Sequence, residues 1–128
     1  MSGVDDVSHD DVKAQLAAGR FRARDQFDDV ADMDVISICV PTPLGKTRDP
    51  DISYIVAAAK EVVARLRPGQ LIVLESTTYP GTTRELVLPM FEASGLEVGK
   101  DYFLCFSPER VDPGNLEFDS RNTPRLVG

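Results

Sequence analysis

Three apolar runs of strand length, Val35–Val40, Leu71–Leu74 and Phe103–Phe106, alternate along the chain with stretches of helical periodicity. Between the first two, Ile52, Ile55, Val56, Ala59, Val62, Val63 and Leu66 recur every three or four positions and predict a helix from about Ile52 to Leu66. Asp49-Pro50-Asp51 opens it and Pro68-Gly69 ends it. Thr82-Thr83-Arg84-Glu85 reads as a capping box for a further helix carrying Leu86, Met90 and Phe91, kinked at Pro89 and closed at Gly95. Near the start, Ser8 caps a helix that places Val12 and Leu16 on one face and stops at Gly19. Phe21–Arg24 reads as a short, weak strand, Phe27–Ala31 as a turn or short helix, and Arg125-Leu126-Val127 as a last strand.

Strands alternating with helices predict an α/β fold with a parallel sheet and helical crossovers. The near-continuous apolar runs predict strands covered on both faces. In such sheets ligands sit beyond the carboxyl ends of the strands. Each of the three runs feeds a polar loop containing proline: Pro41-Thr42-Pro43, Ser76-Thr77-Thr78-Tyr79-Pro80-Gly81 and Ser107-Pro108-Glu109-Arg110-Val111-Asp112-Pro113-Gly114. The last holds a carboxylate, a guanidinium and two prolines directly after an apolar strand, and is the strongest sign of a ligand-facing edge.

A length of 128 residues leaves room for one domain, and 42% hydrophobic residues suffice for a core. A net charge of −7 argues against nucleic acid and against an anionic membrane surface, since phosphate binding needs clustered Lys and Arg. No apolar run approaches the roughly 20 residues that span a bilayer, and the first residues do not read as a signal peptide. The two cysteines, Cys39 and Cys105, lack metal-ligand spacing, suit a cytoplasmic location, and are expected to pack as small hydrophobes in strands. No metal is expected. His9 and the basic loop Lys46-Thr47-Arg48 read as solvated surface.

Val40-Pro41-Thr42-Pro43-Leu44, Leu74 to Thr83 and Phe106 to Asn115, in this order and spacing, resemble the nucleotide-sugar 6-dehydrogenases, the UDP-glucose dehydrogenase family, over about Val7 to Gly128. The resemblance implies a Rossmann-like NAD-binding domain. It implies oxidation of a UDP-sugar C6 alcohol to a carboxylate in two NAD-dependent steps for polysaccharide precursor synthesis, by a homo-oligomeric parent. In that family, Glu109 matches a glutamate that orients the hydrolytic water and contacts the sugar. Arg110 and Val111 match positions lining the UDP-sugar site. Thr42, with Pro41, matches a threonine beside the dinucleotide, and Thr78, flanked by Ser76 and Thr77, matches one that contacts cofactor and catalytic water. Where the UDP-glucose branch has a second glutamate, this chain has Pro113, which favours a UDP-N-acetyl-hexosamine and leaves Asp112 without a secure role.

A dinucleotide-binding domain normally opens with a Gly-rich strand–turn–helix, but none of the nine glycines here forms a GxG. The family's catalytic Lys, Asn and Cys motifs do not occur either, and Lys46, Lys100, Cys39 and Cys105 do not match them. The expectation is therefore an incomplete Rossmann-like sheet: residues 1–128 as the C-terminal part of one truncated domain, lacking the first βαβ unit, inactive alone, and able to self-associate through an exposed sheet edge. A non-catalytic flavodoxin-like module, such as a phospho-acceptor receiver, remains an alternative on length and alternation. Such a domain needs an acidic pair after its first strand and a Lys after its last core strand, where this chain has Ser107-Pro108-Glu109, a poor fit.

Overall fold

The computed structural model describes residues 7–45, 49–110, 117 and 122–128. The chain divides into two compact units, Met1–Gln26 with Val111–Pro124, and Phe27–Arg110 with Arg125–Gly128.

In the first unit a helix, α1, spans His9–Ala17. The Ser8 hydroxyl accepts the Asp11 N–H at 3.1 Å, as its sequence position predicts. Gly19, at φ 67°, ends the helix in the left-handed conformation that glycine adopts without strain. The weak strand expected at Phe21–Arg24 is absent. The Phe21 N–H instead returns to the Gln15 carbonyl at 3.2 Å, completing the helix end rather than pairing with a strand.

The second unit carries a three-stranded parallel sheet, β1 (Val35–Ile38), β2 (Leu71–Leu74) and β3 (Phe103–Phe106), in the order β1-β2-β3. A 3-10 turn at Asp28–Asp32 precedes β1, where the sequence predicts a turn or short helix. The long helix, α2, runs Ser53–Val63. Its Ile55, Ala59 and Val62 are buried with Ile38, Ile72 and Leu74 of the sheet, and Val87, Phe91 and Tyr102 complete this core. α2 and the segment carrying Val87 and Phe91 pack into that single core. The opposite sheet face leaves Val35 and Phe103 exposed and Leu71, Val73 and Cys105 half-buried. The coverage of both faces expected from the apolar runs is therefore not found among the described residues. The runs are apolar, but their burial alternates.

After β2 the chain departs from the expected capping box. Gly81 adopts φ 92°, and a π-helix spans Thr82–Val87. The Thr82 hydroxyl donates to the Tyr79 carbonyl at 2.9 Å instead of capping Glu85, whose N–H goes to the Gly81 carbonyl at 2.7 Å. A side chain at Gly81 would meet the Glu85 carboxylate at 2.7 Å. The wide turns end where α3 (Leu88–Glu92) begins, which leaves Pro89 in a first turn where its missing N–H does no harm. The last strand expected at Arg125–Val127 is not formed. Gly128 alone pairs with Phe106, exchanging two backbone hydrogen bonds at 2.6 and 3.0 Å.

Gln70 is a polar residue with 0% exposure. Its side-chain oxygen accepts the Arg67 N–H at 2.9 Å, and its amide donates to the Val30 and Met33 carbonyls at 2.9 and 2.8 Å. Arg67 donates beside it to the carbonyls of Ala31 at 2.6 Å and Met33 at 3.1 Å. Together they satisfy the carbonyls of the turn that feeds β1, which buried backbone requires. Tyr102 shows the reverse: its ring lies 5.7 Å from Phe91, its hydroxyl has no partner among the described residues, and burial pushes that phenol up from its usual range. Gln70→Ala should therefore lose about 2–3 kcal/mol in urea unfolding, whereas Tyr102→Phe should stay within about 1 kcal/mol or gain stability.

Candidate functional site

Ile38, Leu74 and Phe106 pair across the sheet in register, so the three strands end level. The three proline-containing loops consequently start side by side at one edge. Side chains then tie them to one another.

The first tie is Ser76, 5% exposed. Its hydroxyl accepts the Val40 N–H at 2.8 Å and faces the carbonyls of Val40 at 2.9 Å and Ile38 at 3.2 Å. The strand predicted to reach Val40 stops at Ile38 because this hydroxyl takes over the pairing. Losing it would leave a part-buried N–H unpaired, at a cost of about 1–3 kcal/mol. Ser76, expected beside a cofactor, thus has its hydroxyl engaged in holding the Pro41–Pro43 loop against the next one.

The second tie is Glu75. The Cys39 thiol donates to one of its carboxylate oxygens at 3.1 Å, and the Ser37 hydroxyl lies 3.1 Å from the same sulfur. Cys39 is exposed just beyond β1, not packed as a strand hydrophobe, because its neighbours at this edge are polar. Partial burial, the hydrogen bond to Glu75, and the negative charges of Glu75 and Glu109 push its thiol up, against the opposing hydrogen bond from Ser37. Burial and Glu75 also push up the half-buried Cys105 thiol. Neither is a poised nucleophile.

The third tie is Arg125. Its guanidinium reaches Glu109 at 3.2 Å and Glu75 at 3.7 Å, joining the second and third loops. Glu109 also accepts the Arg110 N–H at 2.6 Å. Glu75 and Arg125 were not singled out from the sequence. The available signal was a charge placed at the end of one apolar run and the start of another.

Thr78 is half-buried, with its hydroxyl 2.7 Å from that of Thr82. Thr42 is half-buried between exposed Pro41 and Pro43, and its side chain makes no hydrogen bond among the described residues; Thr77 is exposed. A cavity of about 700 Å³ opens beside Thr78, walled by Pro80, Thr82, Leu88, Leu104 and Phe106; Thr42 and Glu109 do not line it. Val111, Asp112 to Asn115 and Lys46-Thr47-Arg48 lie outside the described residues. Among the described residues no group of three or more His, Cys, Asp or Glu could hold a metal ion, and no helix is long and apolar enough to cross a membrane.

Glu75→Gln should bring the Cys39 titration down. Each half pH unit corresponds to about threefold more thiolate, and hence faster iodoacetamide labelling at mildly alkaline pH. Peptide-resolved mass spectrometry at Cys39 reads this; a slower or unchanged rate would mean that Glu75 does not control the thiol.

The sequence pattern of the UDP-glucose/GDP-mannose dehydrogenase family, NAD binding domain, matches residues 5–128. The chain is 34% identical over 117 residues to a UDP-N-acetyl-D-mannosamine dehydrogenase of Pyrococcus horikoshii, covering 91% of this chain and 28% of that protein. It is 33% identical over 116 residues to a UDP-N-acetyl-D-glucosamine 6-dehydrogenase of Pseudomonas aeruginosa, covering 90% of this chain and 28% of that protein. Among solved structures, NDP-N-acetyl-D-galactosaminuronic acid dehydrogenase from Methanosarcina mazei superposes with a TM-score of 0.84 at 34% identity, covering 93% of this chain and 26% of that one. The chain spans less than a third of the length of these relatives. By sequence and by its parallel α/β fold, it belongs to the UDP-glucose/GDP-mannose dehydrogenase family, within the NAD-binding domain.

Proposed function

We propose that this chain is the C-terminal part of the NAD-binding domain of a UDP-sugar 6-dehydrogenase, with a UDP-N-acetyl-hexosamine as substrate. The observation that carries this reading is the single edge at which Ser76, Glu75 and Arg125 tie together the three loops holding Thr42, Thr78 and Glu109. Pro113 in place of a second glutamate, and relatives named for N-acetyl-hexosamine substrates, support the substrate class.

The residues at this edge fit a dinucleotide. Thr42 presents a hydroxyl with no side-chain partner among the described residues, on a loop whose flanking prolines fix the backbone. Pro41, Thr42, Thr77 and Thr78 would hold NAD, which when bound accepts the hydride from the sugar C6. Ser76 acts beneath them by fixing the loops. Glu109 accepts a hydrogen bond from the hydrolytic water and orients it, a task suited to a carboxylate held at a strand end. Thr78 presents its hydroxyl to the same water. Arg110 pairs with the sugar nucleotide, and Val111 lines the sugar beside it.

The parent enzyme is read as a cytoplasmic homo-oligomer serving polysaccharide precursor synthesis. The isolated chain lacks the family's nucleophile motif and Gly-rich loop, and is inactive on this reading. Its strand β1 pairs only with β2 among the described residues and leaves Val35 60% exposed, an edge through which the chain would self-associate.

Purified alone with NAD and UDP-N-acetylglucosamine, the chain should form no NADH. Replacing the matching 28% of the Pyrococcus horikoshii relative with this chain should give an enzyme that forms NADH with that relative's substrate. Glu109→Gln in the chimera should lower the rate by about 100-fold or more. NADH formed by the isolated chain, or a folded chimera with no turnover, would overturn the reading.

A further inference from the structure

Two carboxylates at the ends of adjacent strands face one guanidinium. Glu75 follows directly on β2, and Glu109 lies in the loop after β3. Alone at this edge, two such charges would disfavour each other's ionised form. Arg125 stands between them, with one terminal nitrogen 3.2 Å from Glu109 and the other 3.7 Å from Glu75. Its own placement comes from the backbone: three residues on, Gly128 exchanges two hydrogen bonds with Phe106 at the end of β3. The second Glu109 oxygen accepts the Arg110 N–H at 2.6 Å. Each carboxylate oxygen therefore has a donor in a different direction, and the plane of the group is set.

We propose that Arg125 is a positioning residue that fixes the orientation of the Glu109 carboxylate, with Glu75 as its second anchor. This assignment rests on the reading that Glu109 orients water, and deepens it by naming what orients Glu109. Among the described residues, the charged and titratable groups around Glu109 include Arg125 from the terminal segment, Arg110 beside it, Glu75 from the end of β2 and the Cys39 thiol beyond β1. Of these, Arg125 makes a side-chain ion pair with Glu109 and also reaches Glu75, so its removal takes away the positive charge that stands between the two carboxylates.

Carbon-detected NMR of the side-chain carboxyls, in the full chain without ligand, tests this. Arg125→Gln should raise the Glu109 titration midpoint by about 0.5–1 pH unit, a modest effect for a pair open to solvent. Arg125→Lys, which keeps the charge and loses the planar fork, should restore most of it. Backbone amide peaks of Ile72 and Leu74 report whether each variant stays folded. In the unmodified chain, which needs no such control, the Arg125 side-chain N–H resonance should move with the same midpoint as the Glu109 carboxyl. A Glu109 midpoint unchanged in folded Arg125→Gln, or an Arg125 resonance indifferent to Glu109 titration, would overturn the assignment. Because the titration uses no ligand, its failure leaves the chimera result standing, and failure of the chimera leaves the titration standing.

Discussion

Ile38, Leu74 and Phe106 stand level because β1, β2 and β3 run parallel and pair without a register slip. A slip of one residue would turn every side chain of a strand to the opposite face. Here Ile72 and Leu74 of β2 must meet Ile55, Ala59 and Val62 of α2, so the core holds the register. The level ends then bring three loops from distant parts of the sequence to one edge. Whatever Thr42, Thr78 and Glu109 do jointly depends on that alignment, and so on apolar packing well below them.

Polar groups convert an aligned edge into a fixed one. Gln70 and Arg67 satisfy the turn entering β1, and Ser76 satisfies the backbone leaving it. Hydrogen bonds of this kind contribute little net stability when made, and are expensive to leave unmade in a buried setting. They therefore select one loop arrangement over near alternatives. Arg125 does the same at the outer rim, where it separates two carboxylates that the parallel topology forces close together.

β1, β2, β3 and α2 were legible in the sequence because apolar spacing reports burial, and burial drives both; the short strands expected at Phe21–Arg24 and Arg125–Val127 lacked that support. The three loops were legible through their proline and hydroxyl chemistry. The start of the last helix was not: Thr82 and Glu85 have capping-box spacing, yet the positive φ at Gly81 and the Thr78–Thr82 hydroxyl contact draw the chain into a π-helix. Short-range pattern cannot register a contact that depends on how the preceding loop folds. Cys39 misled for a related reason. It lies within the apolar run Val35–Val40, but pairing ends at Ile38, which leaves the thiol among Ser37 and Glu75. Arg125 was the least legible, since its partners lie 16 and 50 positions away and no periodicity links them.

On the proposed reading, the tied edge is part of a ligand site whose loops are held together before any ligand arrives. Nitrogen–proton correlation NMR of the chain, titrated with NAD and then UDP-N-acetylglucosamine, measures that most directly. The account predicts a dispersed spectrum, with shifts confined to the loops at Thr42, Thr78 and Glu109–Arg110. A dispersed spectrum that stays unchanged at those loops, or that moves elsewhere, would contradict it.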